Sequence, residues 1–156
     1  MPDNKDRILI LGLGNLLMGD EGVGIHAVRY MKQQKLPEFA DIEDGGTGGF
    51  HLLSLIQAYP VVIIIDAAVG EDAPGTVRVI EPKFSKDFPK SLSSHDIGLK
   101  DLIDTASLLG NLPRFFLIIV SVKDWRDLKI ELSPEVAAAI PEVYKKTTEV
   151  IKLLER

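Results

Sequence analysis

The 156-residue sequence contains no cysteine, and this absence excludes several kinds of chemistry. Without a thiol the chain forms no disulfide bond, has no thiol nucleophile and offers no thiolate ligand to a metal ion. An excess of basic residues is missing too, since 18 lysines and arginines stand against 23 aspartates and glutamates, for a formal net charge of -5. This charge argues against nucleic acid or an anionic membrane as the partner.

No apolar run is long enough to cross a bilayer, and the polar residues 1–7 contain no secretory hydrophobic region. We therefore expect no membrane insertion and a cytoplasmic location. Apolar residues make up 46% of the sequence and charged residues 26%, which are ordinary values for a folded globular protein. The length corresponds to one domain over residues 1–156, and we expect a monomer.

Apolar periodicity predicts an open α/β sheet with the element order βαβαββαβα. Residues 61–65 (VVIII) are an unbroken β-branched run, which predicts a central parallel strand that ends in Asp66. Residues 76–80 alternate in polarity and follow without an intervening helix, which predicts an antiparallel edge strand. Ser133 is expected to cap the last helix, and Pro141 to break or kink it.

A glycine-rich stretch, residues 12–24 (GLGNLLMGDEGVG), connects the first predicted strand to the first predicted helix. In an open α/β sheet this connection lies at the carboxyl edge of the strands, where ligands bind. A dinucleotide fingerprint would have a third glycine at Leu17, and a P-loop would continue with Gly-Lys-Ser/Thr, so neither motif is present. Asp20 and Glu21 stand where a phosphate would meet the helix, although such a pair can also simply complement the helix dipole.

Three acidic residues are expected at strand ends, namely Glu21, Asp44 and Asp66, and His95 is expected to open a helix near the same edge. Taken singly, each has an ordinary explanation as a turn former or capping residue. Together they need compensation, because two carboxylates about 4 Å apart repel by roughly 4 kcal/mol at an effective dielectric of about 20. Two carboxylates with one imidazole form a ligand set suited to zinc, nickel, iron or manganese.

At four dispersed motifs the chain resembles the maturation endopeptidases of nickel–iron hydrogenases. These motifs are residues 12–24, 44–47 (DGGT), 64–67 (IIDA) and 94–99 (SHDIGL). They span about two-thirds of the domain in matching order, which is far more specific than a lone glycine loop.

The resemblance implies a three-layer α/β fold, in which a twisted, mostly parallel sheet of about five strands has helices on both faces. It also implies an endopeptidase that removes the C-terminal extension of a nickel–iron hydrogenase large-subunit precursor after nickel insertion. Glu21, Asp66 and His95 match the family's metal-contacting positions, and Asp44 matches an acidic residue associated with substrate or nickel recognition. We expect these four residues to form the catalytic site, with nickel supplied by the precursor, which is the expected partner.

Two other functions remain open from the sequence alone. A Rossmann-like nucleotide-binding protein would place Gly12 and Gly14 at a pyrophosphate and Asp44 at a ribose hydroxyl. A nickel-sensing chaperone would hold the precursor without cutting it.

Overall fold

The elements of the computed structural model follow the predicted order, and the residues described are 6–47, 52–70, 72–82, 97–110, 112–123 and 130–155. The strands are β1 (Ile8–Gly12), β2 (Ala40–Asp44), β3 (Val61–Val69), β4 (Val77–Ile80) and β5 (Arg114–Val122). The helices are α1 (Val23–Met31), α2 (Leu53–Gln57), α3 (Ile97–Leu108) and α4 (Pro134–Leu154). A 3₁₀ turn, Gly19–Gly22, precedes α1. Within this described part of the chain, every helix is too short or too polar to cross a bilayer.

The five strands form one sheet in the order β2-β1-β3-β5-β4. Neighbouring strands run parallel except at one edge, where β4 is antiparallel to β5. The predictions of a central parallel β3 and an antiparallel edge strand are therefore confirmed. The central position explains the composition of β3, because a parallel strand covered on both faces is apolar at consecutive positions rather than at alternate ones.

Alternate side chains of the sheet form two separate cores, one on each face. Ile10, Ile63 and Ile65 pack against α1 and α4, whereas Leu9, Leu11 and Ile64 pack against α2 and α3. The apolar stripe of α1 is fully buried with helical spacing and consists of Val23, Ala27, Val28 and Met31. Helices therefore cover both faces, and the predicted three-layer architecture is confirmed.

The end of β3 differs from the prediction. Asp66 does not end the strand, because β5 pairs with β3 from Val61 through Val69. The other neighbour, β1, stops at Gly12, which is in register with Ile65. Asp66 is consequently the first residue of β3 beyond the ladder with β1, at the carboxyl edge of the sheet.

The last helix also differs in two details. α4 is continuous from Pro134 to Leu154, so Pro141 does not break it. Ser133 occupies the N-cap position as predicted, but its hydroxyl makes no capping bond to the helix. That hydroxyl donates to a carboxylate oxygen of Asp20 instead, at 2.8 Å.

The first turn of α1 lies against the backbone of β1 and β3 at Gly24. A Cβ at this position would come within 2.3 Å of the carbonyl oxygens of both Leu13 and Ile65. A Cβ at Gly12 would meet the carbonyl oxygen of Gly24 at 2.4 Å. Backbone atoms held in a sheet and a helix cannot move aside cheaply, so this approach requires glycine.

We predict that Gly24→Ala lowers the free energy of unfolding by about 2 kcal/mol, the usual size of an overpacking penalty. Helix propensity alone would favour alanine by about 0.8–1 kcal/mol, so only the clash can produce a loss. Gly70→Ala is the matched control, since a Cβ at Gly70 has no described atom within 4 Å and its φ is outside the left-handed region. Urea denaturation should show the loss for Gly24→Ala alone, and equal stability of the two variants would contradict the close approach.

A polar network ties together the amino edge of the sheet. Arg7 donates from Nε to Asp41 Oδ2 at 3.0 Å and from Nη2 to Oδ1 at 2.7 Å. The hydroxyl of Tyr59 donates to Asp41 Oδ2 at 2.7 Å. The bond from Arg7 lowers the pKa of Asp41, whereas burial, followed by the bond to Asp41, raises the pKa of Tyr59 to about 12.

We predict that Tyr59→Phe costs about 1 kcal/mol at neutral pH, because the carboxylate of Asp41 loses a donor. Since the folded-state pKa of Asp41 is lowered, the stability that its charge contributes is present above about pH 4 and is lost as the pH falls through the folded value. The cost of Tyr59→Phe should therefore shrink as the pH falls below about 4, the ordinary pKa of an aspartate. Tyr144→Phe is the control, because its hydroxyl donates to the uncharged carbonyl of Lys35. A cost of Tyr59→Phe that is equally large in acid would contradict a charged acceptor.

Candidate active site

The candidate site lies at the carboxyl edge of the sheet, where β1 and β3 separate. Leu13 still donates its N–H to the carbonyl of Ile65 at 2.9 Å, and beyond this bond β3 continues without β1. The chain leaves β1 towards β2, on one side of the sheet. It leaves β3 towards β4, on the other side. Such a switch point leaves a crevice in which α/β proteins bind ligands.

Asp66 is fully buried at this switch point. Its Oδ1 accepts the N–H of Ala67 at 2.8 Å. Its Oδ2 is buried as well, and it has no hydrogen-bond partner among the residues that the structure describes. A buried carboxylate oxygen without a partner is costly and calls for an explanation, and a bound ion is one of the usual ones.

Glu21 is also fully buried, in the 3₁₀ turn between β1 and α1. Its Oε2 accepts the backbone N–H of Asn15 at 2.7 Å. The 3₁₀ turn contacts β3, and Gly24, just after it, lies against the carbonyl of Ile65. The structure therefore brings Glu21 and Asp66 to the same end of β3, although 44 residues of chain separate them.

Asp20 differs from its neighbour Glu21. Both of its carboxylate oxygens are engaged by Ser133, with the backbone N–H at 2.7 Å and the hydroxyl at 2.8 Å. Asp20 therefore fastens the 3₁₀ turn to the start of α4. The two adjacent acids therefore differ in place: Asp20 is bonded to the start of α4, whereas Glu21 is buried at the end of β3 that carries Asp66.

Asp44 is the last residue of β2 and is exposed. Its Oδ1 accepts the N–H of Gly46 at 2.8 Å, which makes an Asx turn. Asp44 is in register with Gly12, so β1 stands between it and β3, roughly 10 Å across two strand spacings. Strand alternation places it on the face of Ile42, opposite to the face of Asp66. The sheet thus brings Asp44 to the site's edge but not against Asp66.

His95 lies outside the described residues, so its predicted place at the site stays a prediction. The described part of α3 begins at Ile97 and leads to β5, which runs parallel to β3. A helix that precedes a parallel strand begins at the carboxyl edge, which is the edge of Asp66. Within the described residues, no group of three acidic or histidine side chains is arranged to hold a metal ion.

Two interactions were not predicted from the sequence: the bond from the Asn15 N–H to Glu21, and the bonds from Ser133 to Asp20. An asparagine directly after a glycine is typical of a turn, which was the available signal for Asn15. For Ser133 the sequence predicted the N-cap position but gave no sign of its partner, 113 residues away.

Comparison with known proteins gives consistent matches. The sequence profile of the hydrogenase maturation protease family matches residues 25–150. The hydrogenase 2 maturation protease of Escherichia coli (strain K12) is 34% identical over 137 residues, which cover 86% of this chain and 84% of that protein. The hydrogenase expression/formation protein HupD of Rhizobium leguminosarum bv. viciae is 33% identical over an alignment that covers 97% of this chain and 77% of that protein.

Solved structures agree with these sequence matches. The hydrogenase maturating endopeptidase HybD from E. coli superposes with a TM-score of 0.85 at 32% identity, covering 94% of this chain and 92% of that one. The NiFe hydrogenase maturation protease HybD from Thermococcus kodakarensis superposes with a TM-score of 0.77 at 27% identity, covering 92% and 98%.

We predict that Asp66→Asn does not destabilise the protein, and that its free energy of unfolding stays within about 0.5 kcal/mol of the native value or exceeds it. The amide keeps the acceptor for Ala67, and it is less costly to bury than a carboxylate. The carboxylate of Asp41 accepts bonds from Arg7 and Tyr59, so Asp41→Asn should instead lower the free energy of unfolding by about 1–2 kcal/mol. If urea denaturation shows equal losses for both variants, the Asp66 carboxylate has a structural role and is not held open for a ligand.

Proposed function

The chain belongs to the hydrogenase maturation protease family, and on that premise we propose that it is an endopeptidase acting on a nickel–iron hydrogenase large-subunit precursor. It removes the C-terminal extension of the precursor after nickel has been inserted. The observation that carries the proposal is the buried Asp66 carboxylate, whose Oδ2 has no hydrogen-bond partner in the described part of the chain, at the same end of β3 as the buried Glu21.

The chemistry of these two side chains supports a cation as the group they recognise. Burial strengthens the interaction of a carboxylate with a positive charge, because water no longer screens it. Two carboxylates suit a divalent metal ion, and the imidazole of His95 would complete a borderline ligand set that nickel accepts. In this proposal the nickel ion arrives as part of the substrate, and Glu21, Asp66 and His95 contact it.

Once its metal ion is held, the precursor has its C-terminal segment at the site. A metal ion held there assists hydrolysis by polarising the scissile carbonyl or by lowering the pKa of a bound water. No serine or cysteine nucleophile takes part in this proposal. Asp44, on the exposed rim of the same edge, would orient the substrate or accept a proton, and the adjacent Gly46 leaves room for a peptide because it bears no side chain.

The glycines of the first loop support this function over nucleotide binding. In a dinucleotide site they let the pyrophosphate approach the backbone. Here the space that a Cβ would need is already filled from inside the protein, by the carbonyl of Gly24 at Gly12 and by the carbonyl of Glu21 at Gly14. These glycines therefore allow close packing of the loop, and the acidic pair occupies the start of the helix.

We predict that the native chain cleaves nickel-loaded precursor and leaves nickel-free precursor intact, as followed by the mass of the large subunit. Glu21→Gln, Asp66→Asn and His95→Ala should each reduce the cleavage rate by more than about 100-fold, since losses of 10–100-fold are usual for groups one step further from a metal. Asp104→Asn, an exposed acid on α3, is the matched control and should cleave at the native rate.

Each other outcome contradicts a defined part of the proposal. Equal cleavage of both precursors would contradict recognition through nickel, and full activity of one variant would remove that residue from the site. Binding of the precursor without loss of mass would favour the non-cleaving chaperone. A large thermal stabilisation by NAD, NADP, FAD or ATP would favour a nucleotide-binding protein.

A further inference from the structure

The segment from Asn15 to Glu21 is closed into a ring by its own hydrogen bonds. The side-chain Oδ1 of Asn15 accepts the N–H of Leu17 at 2.9 Å, and its carbonyl accepts the N–H of Met18 at 3.0 Å. Met18 in turn accepts the N–H of Glu21 at 3.2 Å. The bond from the Asn15 N–H to Glu21 Oε2, at 2.7 Å, closes the ring.

The ring packs closely on its own backbone at two glycines. A Cβ at Gly14 would come within 2.3 Å of the carbonyl of Glu21, and one at Gly22 would lie 3.0 Å from the carbonyl of Asn15. Glu21 is fully buried, so water cannot replace a lost backbone donor to its carboxylate. The bond from the Asn15 N–H therefore ties one oxygen of the Glu21 carboxylate to the backbone of this segment, and a turn of that N–H would move this oxygen.

From this geometry we infer that Asn15 is a positioning residue for Glu21. The N–H that holds Glu21 belongs to the backbone and is present with any non-proline side chain. Its direction, however, is fixed by the turn that the Asn15 side chain closes on Leu17. The side chain thus acts on Glu21 through the backbone and needs no contact with the substrate. This inference rests on the proposed function wherever it concerns the rate of cleavage.

The arrangement has a clear chemical use. A hydrogen bond from a neutral N–H to a carboxylate is short and strong, and it fixes one of the two oxygens. Groups that orient a metal-contacting carboxylate usually change metal affinity or activity by about 10–100-fold when they are lost. Asn15 would therefore influence the reaction step, with little effect on the surface that the precursor first meets.

Protein NMR provides the test that does not depend on cleavage. The amide proton of residue 15 should resonate downfield and exchange slowly in the native chain, because it is bound to a buried carboxylate. Asn15→Ala should lose both properties. Asn15→Ser should retain them in part, since a serine hydroxyl accepts the same turn N–H more weakly. An unchanged amide proton in Asn15→Ala would overturn the inference, whether or not the protein cleaves a precursor.

Kinetics with nickel-loaded precursor provide the second test. For Asn15→Ala we expect kcat to fall about 10–100-fold with KM nearly unchanged, and for Asn15→Ser we expect most of kcat to return. Thr76→Val is the control, because it removes another bond between a side chain and the backbone of a turn, donated by the Thr76 hydroxyl to the carbonyl of Ala73, outside the proposed site. It should lower the melting temperature and leave kcat unchanged.

The outcomes separate this inference from the proposed function. Native kcat in Asn15→Ala, or a loss that serine does not recover, would overturn the positioning role while cleavage by the native chain stands. If Asn15→Ala fails to fold, Asn15→Ser must show a reduced kcat at unchanged KM, and a native kcat would overturn the inference. A native chain that cuts no precursor would contradict the proposed function, and the NMR result would then decide the positioning role alone.

Discussion

The close approach of α1 to the ends of β1 and β3 is the constraint on which the whole carboxyl edge depends. It is possible because Gly24 presents no side chain to the carbonyls of Leu13 and Ile65. With the helix so near, the 3₁₀ turn that precedes it contacts β3, and Glu21 is buried rather than solvated. In nucleotide-binding folds comparable glycines admit a phosphate to the backbone, whereas here they admit another part of the same chain.

Asp20 and Asp66 show how the surroundings, rather than the residue type, decide what a carboxylate does. Asp20 has both oxygens bound by Ser133, so fixed donors compensate its charge. Asp66 has one oxygen bound by its own neighbour Ala67 and the other buried without a described partner. Asp20 is only half-buried and is held by fixed donors, whereas Asp66 is fully buried and no described residue offsets the free-energy cost of burying its second oxygen.

The sequence was sufficient for the layers and the strand directions, and insufficient for the contacts that complete the site. The β-branched run of β3 and the lack of a helix before β4 predict a central parallel strand and an antiparallel edge, because both are local consequences of burial and chain length. The position of Asp66 beyond β1 depends on the unequal lengths of β1 and β5, which no local pattern contains. The bond between Asp20 and Ser133 joins residues 113 apart and depends on how α4 packs, so it could not be predicted either.

In the proposed function, the free-energy cost of burying the Asp66 carboxylate explains how the protease distinguishes a metal-loaded precursor from other proteins. A precursor that carries a metal ion offers a positive charge to buried carboxylates, and one unit-charge interaction at about 4 Å is worth roughly 4 kcal/mol at an effective dielectric of about 20. That difference corresponds to about a thousandfold in affinity. A precursor without the ion meets the same carboxylates with nothing to offset their desolvation. Discrimination then comes from the burial that makes the empty site unfavourable, and a more exposed Asp66 would bind metal more weakly and distinguish the two precursors less well.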